Sequence, residues 1–345
     1  MAWVAHPLIE LTLARFREFV REPEAIFWVF AFPIIMTCAL GIAFRSRGAE
    51  PVIVGVVTSA DGDAIAAALQ QAGGFTVRRL DARDVDRAVR DGRAPVVVIP
   101  GSPITYRFDE ARAESHAARL AVDAALQRAA GRRDVFTAVQ QPVEAVGSRY
   151  IDWLVPGLLG MNVMGTGMWG IGFSIAQTRM RKLLKRLVAT PMSRLHYLTS
   201  HLLNRLLFLT LETAILIAFA WIVFGVRVHG SLASLAVLTL LGAVSFGGMA
   251  LLISSRARTI EAVSGLMNVV MVPMWVLSGV FFASTNFPDA MQPFIQALPL
   301  TALNNALRAI INEGMPLASQ WREAAILVGW GGGAFALALK LFRWQ

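Results

Sequence analysis

A few short runs in this sequence carry residue types that can do chemistry. Gly165-Thr166-Gly167-Met168-Trp169-Gly170 fits G-x-G-x-x-G, the spacing that brings backbone N–H groups against a dinucleotide pyrophosphate. That chemistry requires a strand before the glycines and a βαβ unit around them. Here the run lies inside a long apolar segment, so its glycines are expected to allow close helix–helix packing instead. Gly172-Phe173-Ser174-Ile175-Ala176 approaches the nucleophile elbow G-x-S-x-G but lacks the last glycine and the strand-to-helix turn. Asp61 and Asp63 lack the remaining ligands of a calcium loop. There is no G-x-x-x-x-G-K-[ST] run with which to cradle ATP, and no H-E-x-x-H. The one cysteine, Cys38, excludes an intrachain disulfide and a C-x-x-C site, and five scattered histidines do not suggest a metal centre. No catalytic, cofactor-binding or metal-ligating residue emerges, and the chain is not expected to be an enzyme.

Charged and polar residues inside apolar segments are the next candidates. Arg205 and Glu212 share one such segment, and Asn268 lies in another. An intramembrane charge costs roughly 2.5–3.5 kcal/mol on insertion scales, which makes it a functional hypothesis. Seven residues apart on one helix, Arg205 and Glu212 lie about 10 Å apart along the axis, too far to pair directly. Glu212 is therefore protonated, paired to another segment, or part of a substrate path.

The elements that must position these residues follow from composition. The chain has 345 residues, 56% hydrophobic and 16% charged, with a mean hydropathy of +0.56. That excludes an ordinary soluble enzyme, a disordered chain and a nucleic-acid module, despite a net charge of +9. A helix needs about 20 apolar residues to cross a bilayer. Six segments qualify, at 24–44, 152–174, 202–224, 232–254, 260–282 and 322–342. With the N-terminus inside, the inner loops hold Arg15, Arg17, Arg21, Arg179, Arg181, Lys182, Lys185, Arg186, Arg194, Arg256, Arg258 and Arg343. The short outer loops offer Arg227 and Arg308. The asymmetry places both termini in the cytoplasm. Arginine far outnumbers lysine and alanine is abundant, which reads as a high-GC bacterial sequence.

Four pieces lie between or before the spans. Residues 1–23 contain an amphipathic run, 7–22, expected to lie in the cytoplasmic interface. Residues 45–149 change to alternating strand and helix patterns: strands at 52–57, 75–80 and 96–99, helices at 64–71, 84–91 and about 110–130. That pattern predicts βαβ units, a small parallel sheet and a compact extracytoplasmic α/β domain. Residues 179–190 place Met180, Leu183, Leu184 and Leu187 on one helix face and Arg181, Lys182, Lys185 and Arg186 on the other, until Thr190-Pro191 ends the helix. This basic helix is either an anchor to anionic lipid or a coupling helix that docks on a cytoplasmic partner. Residues 288–313, broken by Pro288, Pro293 and Pro299, are expected to form a re-entrant or interfacial segment.

The order of these parts resembles the ABC type-2 permeases, the membrane subunits of bacterial ABC exporters. The local matches are the run Leu184 to Arg194 (LKRLVATPMSR), Gly248 to Ser254 (GMALLIS), and Leu298-Pro299-Leu300-Thr301 followed by Ala306-Leu307-Arg308. The resemblance implies an α-helical polytopic membrane protein of six spans, with residues 150–345 forming a five-helix region. It implies that Arg181, Lys182, Lys185, Arg186, Thr190 and Pro191 couple the chain to a separate ABC ATPase. It further implies a second permease copy, as homodimer or related heterodimer, in a bacterial inner membrane. ATP and Mg would be held by the ATPase and no cofactor by this chain. Gln177-Thr178-Arg179 stand where many members carry acidic residues. Two other functions fit the same spans: an ion-coupled transporter or channel acting alone, dependent on Glu212, and a membrane-anchored receptor that uses residues 45–149.

Overall fold

The computed structural model describes residues 16–17, 20–44, 51–133, 136, 139, 147, 149–180, 194–256 and 259–341. The interfacial run 7–22 lies largely outside the described residues. So does the basic helix, with Arg181, Lys182, Lys185, Arg186, Thr190 and Pro191. The chain divides into two compact units, one of Arg47–Val143 and one of Met1–Ser46 with Glu144–Gln345.

The first helical run begins at α1 (Pro23–Ile26), passes through a π-helical turn at Phe27–Ala31, and continues as α2 (Phe32–Ala43). Pro33 explains the irregular turn. Its ring crowds the carbonyl four residues back, that of Val29, and it has no N–H with which to satisfy it.

The smaller unit holds β1 (Val52–Val57), α3 (Ala60–Ala72), β2 (Phe75–Leu80), α4 (Val85–Arg90), β3 (Val96–Ile99), β4 (Thr105–Phe108) and α5 (Ala113–Ala129). The sheet order is β2-β1-β3-β4. β1 is parallel to both neighbours, with Val54 opposite Val77 on one side and Val96 on the other. β4 runs antiparallel to β3, with Val98 opposite Tyr106. The three expected strands pair in parallel, and β4, which the sequence reading did not foresee, adds an antiparallel edge. Residues 100–104 are far shorter than the dozen or so that a parallel crossover needs, so the chain can only turn back. Val54, Val56, Leu69, Val96, Val98 and Val122 form one core layer, and Val85, Ala94 and Val97 the other. Burial on both faces is why β1 and β3 read as unbroken apolar runs. The Ser59 side chain caps α3 by accepting from the Gly62 N–H at 3.0 Å. The Tyr106 hydroxyl donates to Asp123 at 3.0 Å, and burial first, then this carboxylate, pushes its pKa up to about 12.

The larger unit continues with α6 (Tyr150–Met180), α7 (Arg194–Phe224), α8 (Leu232–Arg256), α9 (Ile260–Leu277), α10 (Gln292–Gln296), α11 (Pro299–Ile311) and α12 (Trp321–Leu341). Among the described residues, four helical stretches are long and apolar enough to cross a membrane: Leu207–Phe224, Leu232–Ser255, Ile260–Leu277 and Leu317–Leu341. Phe27–Ala43 is a shorter apolar helix. α6 has 31 residues but is rich in glycine and carries Asn162. Its composition follows from its place, since it packs against α2, α7, α8, α9 and α11. Leu154, Val155, Leu158, Leu159, Val163 and Met164 are all buried. A helix enclosed by helices is selected for close approach more than for bulk apolarity.

The expected re-entrant segment resolves into a 3-10 turn at Asp289–Met291, then α10 and α11. Pro299 starts α11, where its missing N–H costs nothing. α11 packs against α6, α8 and α12, and most of its residues are buried. Arg308 is therefore not a loop charge, as its position suggested, but a buried side chain with 7% exposure. The signal lay in its spacing: it follows Leu300, Leu303, Asn304 and Leu307 on the inward face of an amphipathic helix.

α8 and α12 cross closely. A Cβ on Gly248 would stand 2.7 Å from the Gly331 carbonyl oxygen, and a Cβ on Gly331 would stand 2.8 Å from the Ser245 Cα. These contacts are to backbone, which cannot yield as a flexible side chain does. Gly331→Val is expected to destabilise the purified chain by ~1–3 kcal/mol, the usual range for overpacking. Gly332→Ala and Gly333→Ala, where nothing lies within 4 Å, should leave the thermal midpoint unchanged. Intrinsic-fluorescence melting of the three variants checks both halves.

Candidate functional site

The polar seam that the larger unit buries starts from the carbonyl released by Pro33. Asn162 of α6 donates its Nδ2–H to Val29 O at 3.4 Å, replacing the backbone donor that proline lacks. One turn further along α6, the Thr166 hydroxyl lies 2.7 Å from Asn162 O and 3.1 Å from Glu212 Oε2. Its single proton can serve either acceptor. Glu212 is 3% exposed and Asn162 is 7% exposed. These three side chains, from two helices, join the π-turn to α6 and α7.

Beside the seam is a shallow crevice too narrow to admit a water-sized sphere, lined by Val29, Phe30, Pro33, Ile34, Asn162, Glu212, Ile215 and Leu216. Six of the eight are apolar, and the two polar ones enter from α6 and α7. In such surroundings a carboxylate acts more strongly on a nearby charge than it would in water. A π-turn at its wall fits the tendency of such turns to occur at functional sites.

The structure treats the other sequence candidates differently. Arg205 lies on α7, but its side chain falls outside the described residues. Asn268 is not in the crevice lining. It sits on the exposed side of α9, while Val263, Met267, Met271 and Met274 of the same helix are buried. The glycine run divides as well. Gly167 lies against Phe246 of α8, where an added Cβ would come within 3.2 Å, and Gly172 lies against Met267 of α9. Gly170 faces open space, so close packing accounts for part of the run only. Thr166, inside the same run, proves to be the hydroxyl that meets Glu212. Asn162 and Thr166 were legible as a polar i, i+4 pair on an otherwise apolar helix, but their partners were not.

A second buried polar cluster fixes α11. The turn after α9 carries Ser278 and Gly279, the latter at φ +70°. Asn304 Nδ2 donates to Ser278 O at 3.0 Å, and Arg308 Nη2 donates to Gly279 O. The Arg308 guanidinium also lies over the Trp153 ring, 3.5 Å from its centroid. A cation and an amide thus meet the carbonyl-rich C-terminal end of α9, where the helix dipole favours positive charge. Close by, Arg149 makes a bidentate pair with Asp152, at 2.9 and 2.7 Å, and donates to Phe224 O at 3.0 Å. The Asp152 hydrogen bonds raise the Arg149 pKa further. Asn312 Nδ2 donates to Asp152 O at 2.9 Å, which closes the end of α6 against the end of α11.

Arg308→Ala removes the donor to Gly279 O and the ring contact together. It is expected to lower stability by ~1–3 kcal/mol, the cost of leaving a buried polar group unmatched. Arg322→Ala, on an exposed residue, should not. Equal melting midpoints for the two variants would show that the guanidinium does not hold α11.

Comparison with known proteins gives this geometry a family. The family model described as "ABC-2 family transporter protein" matches residues 23–340. Among curated proteins, the chain is similar to "ABC transporter G family member 20" of Dictyostelium discoideum, 25% identical over 187 residues. That match takes in 53% of this chain and 25% of the relative, so the chain spans about a quarter of that protein's length. With a family match over nearly its whole length, the chain belongs to the ABC-2 family of transporter proteins, whose members are membrane subunits of ABC transporters.

Proposed function

We propose that this chain is the pathway-forming permease subunit of an ATP-driven exporter in a bacterial inner membrane, working as a dimer with separate ATPase chains. The family match over 23–340 carries this reading. Six spans follow when the helical run 23–43 and α6 are added to the four strongly apolar helices. At 1.5 Å per residue, the 31 residues of α6 reach about 46 Å, longer than the roughly 30 Å hydrocarbon layer. The α/β unit between the first two spans is then extracytoplasmic, and both termini are cytoplasmic. Burial of Arg308 sharpens the charge asymmetry, because it leaves Arg227 as the basic residue of the short outer loops.

Coupling falls to residues 179–190. ATPase closure would push on the basic face formed by Arg181, Lys182, Lys185 and Arg186, and Thr190-Pro191 would end the helix where the chain turns back. ATP and Mg belong to the ATPase. Asn268, exposed on a helix otherwise facing apolar surroundings, suits a contact with a second permease copy or the pathway between copies. An ion-coupled transporter would need a relay of buried titratable groups. Among the described residues the buried charged side chains are Asp152, Glu212 and Arg308, and Asp152 and Arg308 have the structural contacts given above.

The test is affinity purification of the tagged chain from gently solubilised membranes, beside the double variant Lys185→Glu, Arg186→Glu. An ABC ATPase is expected with the wild type and should be lost from the folded variant. Absence of an ATPase from the folded wild type would overturn the reading.

A further inference from the structure

We propose that the outward stripe of α9 formed by Gly265, Asn268, Val272 and Val276 is the contact surface for a second copy of this chain, with the two Asn268 carboxamides hydrogen-bonded to each other across the two-fold axis. This deepens the dimer of the exporter reading and rests on that reading for the bilayer around α9.

The observation that carries it is a carboxamide at the wrong depth. The 18 residues of α9 rise about 27 Å, and Asn268 stands half-way along them. Its side chain is exposed, and among the described residues it has no hydrogen-bond partner. Among the described residues, the exposed side chains in the middle turns of α7, α8 and α12 include no other carboxamide and no charge. Lipid offers an amide neither a donor nor an acceptor, so the group is costly there unless protein covers it.

The chemistry of the amide selects the partner. A primary carboxamide holds a donor and an acceptor side by side, so it is complementary to itself. In a two-fold dimer one surface patch meets its own copy, which sets Asn268 of one chain against Asn268 of the other. Each Nδ2–H then donates to the opposite Oδ1. A carboxylate in that place would leave the amide oxygen unmatched, and an apolar helix would leave both ends so.

The neighbours suit a crossing of two helices. Gly265, Asn268, Val272 and Val276 recur at three- and four-residue steps and share one face. A Cβ on Gly265 would meet nothing within 4 Å, so a second backbone can come near there. Val272 and Val276 are exposed. The opposite face is already taken, since Val263, Met267, Met271 and Met274 are buried within the chain. Glu261 continues the stripe at the inner end. Two carboxylates repel, so the helices cross near Asn268 and diverge towards Glu261.

The test is disulfide scanning of the full chain in membranes, in a Cys38→Ser background where each introduced cysteine is the only one. Gly265→Cys, Asn268→Cys and Val272→Cys are expected to give a covalent dimer on oxidation. Leu266→Cys, also exposed but turned about 160° away from Asn268 around the helix, should not. Energy transfer between donor- and acceptor-tagged chains in phosphatidylcholine liposomes, diluted with lipid, then measures self-association. Asn268→Leu is expected to weaken it about tenfold, which corresponds to ~1.4 kcal/mol. Asn268→Gln, which keeps the amide, should weaken it less. A Leu266→Cys dimer as strong as that of Asn268→Cys overturns the proposal, as does unchanged self-association of Asn268→Leu. So does failure of all three stripe positions to cross-link, the result when lipid or a different permease covers this face. Each failure leaves the exporter reading intact, because ATPase co-purification judges that separately.

Discussion

In a membrane-spanning chain, every backbone carbonyl released from a helix must find a donor within the protein, because lipid offers none. Two such releases organise the larger unit. Pro33 leaves Val29 O without its helical donor, and Asn162 supplies one. The end of α9 leaves Ser278 O and Gly279 O, and Asn304 and Arg308 supply two. In both places the donor is a side chain from another helix. The requirement to satisfy backbone polarity thus becomes a tertiary contact between elements far apart in sequence.

α6 is where these contacts converge. It provides Asn162 and Thr166 to the seam, Trp153 to the Arg308 guanidinium, and Asp152 to Arg149 and Asn312. Its glycines let neighbouring helices come near, as Gly167 does for Phe246. Displacing this helix would disturb polar contacts that have no substitute in lipid.

The buried charges differ in what they do. Arg308 meets carbonyl oxygens and a ring at a helix end, an arrangement suited to holding α11 still. Glu212 accepts from the Thr166 hydroxyl and so ties α7 to α6.

Much of this protein was determined by its sequence alone, since composition and period are local properties. The apolar lengths mark the helices, and the alternation of strand and helix patterns marks the smaller unit. Glu212 could be singled out because a carboxylate in an apolar run is conspicuous without any partner in view. Only the tertiary structure decided what Glu212 faces, that Arg308 turns inward, and that β4 runs antiparallel. It also moved Asn268 away from the crevice and divided the glycine run into packed and open positions. These outcomes depend on which helix lies against which. That choice is made by side chains separated by tens of residues or more, as Asn162 is from Val29 and Arg308 from Trp153, and no local pattern records it.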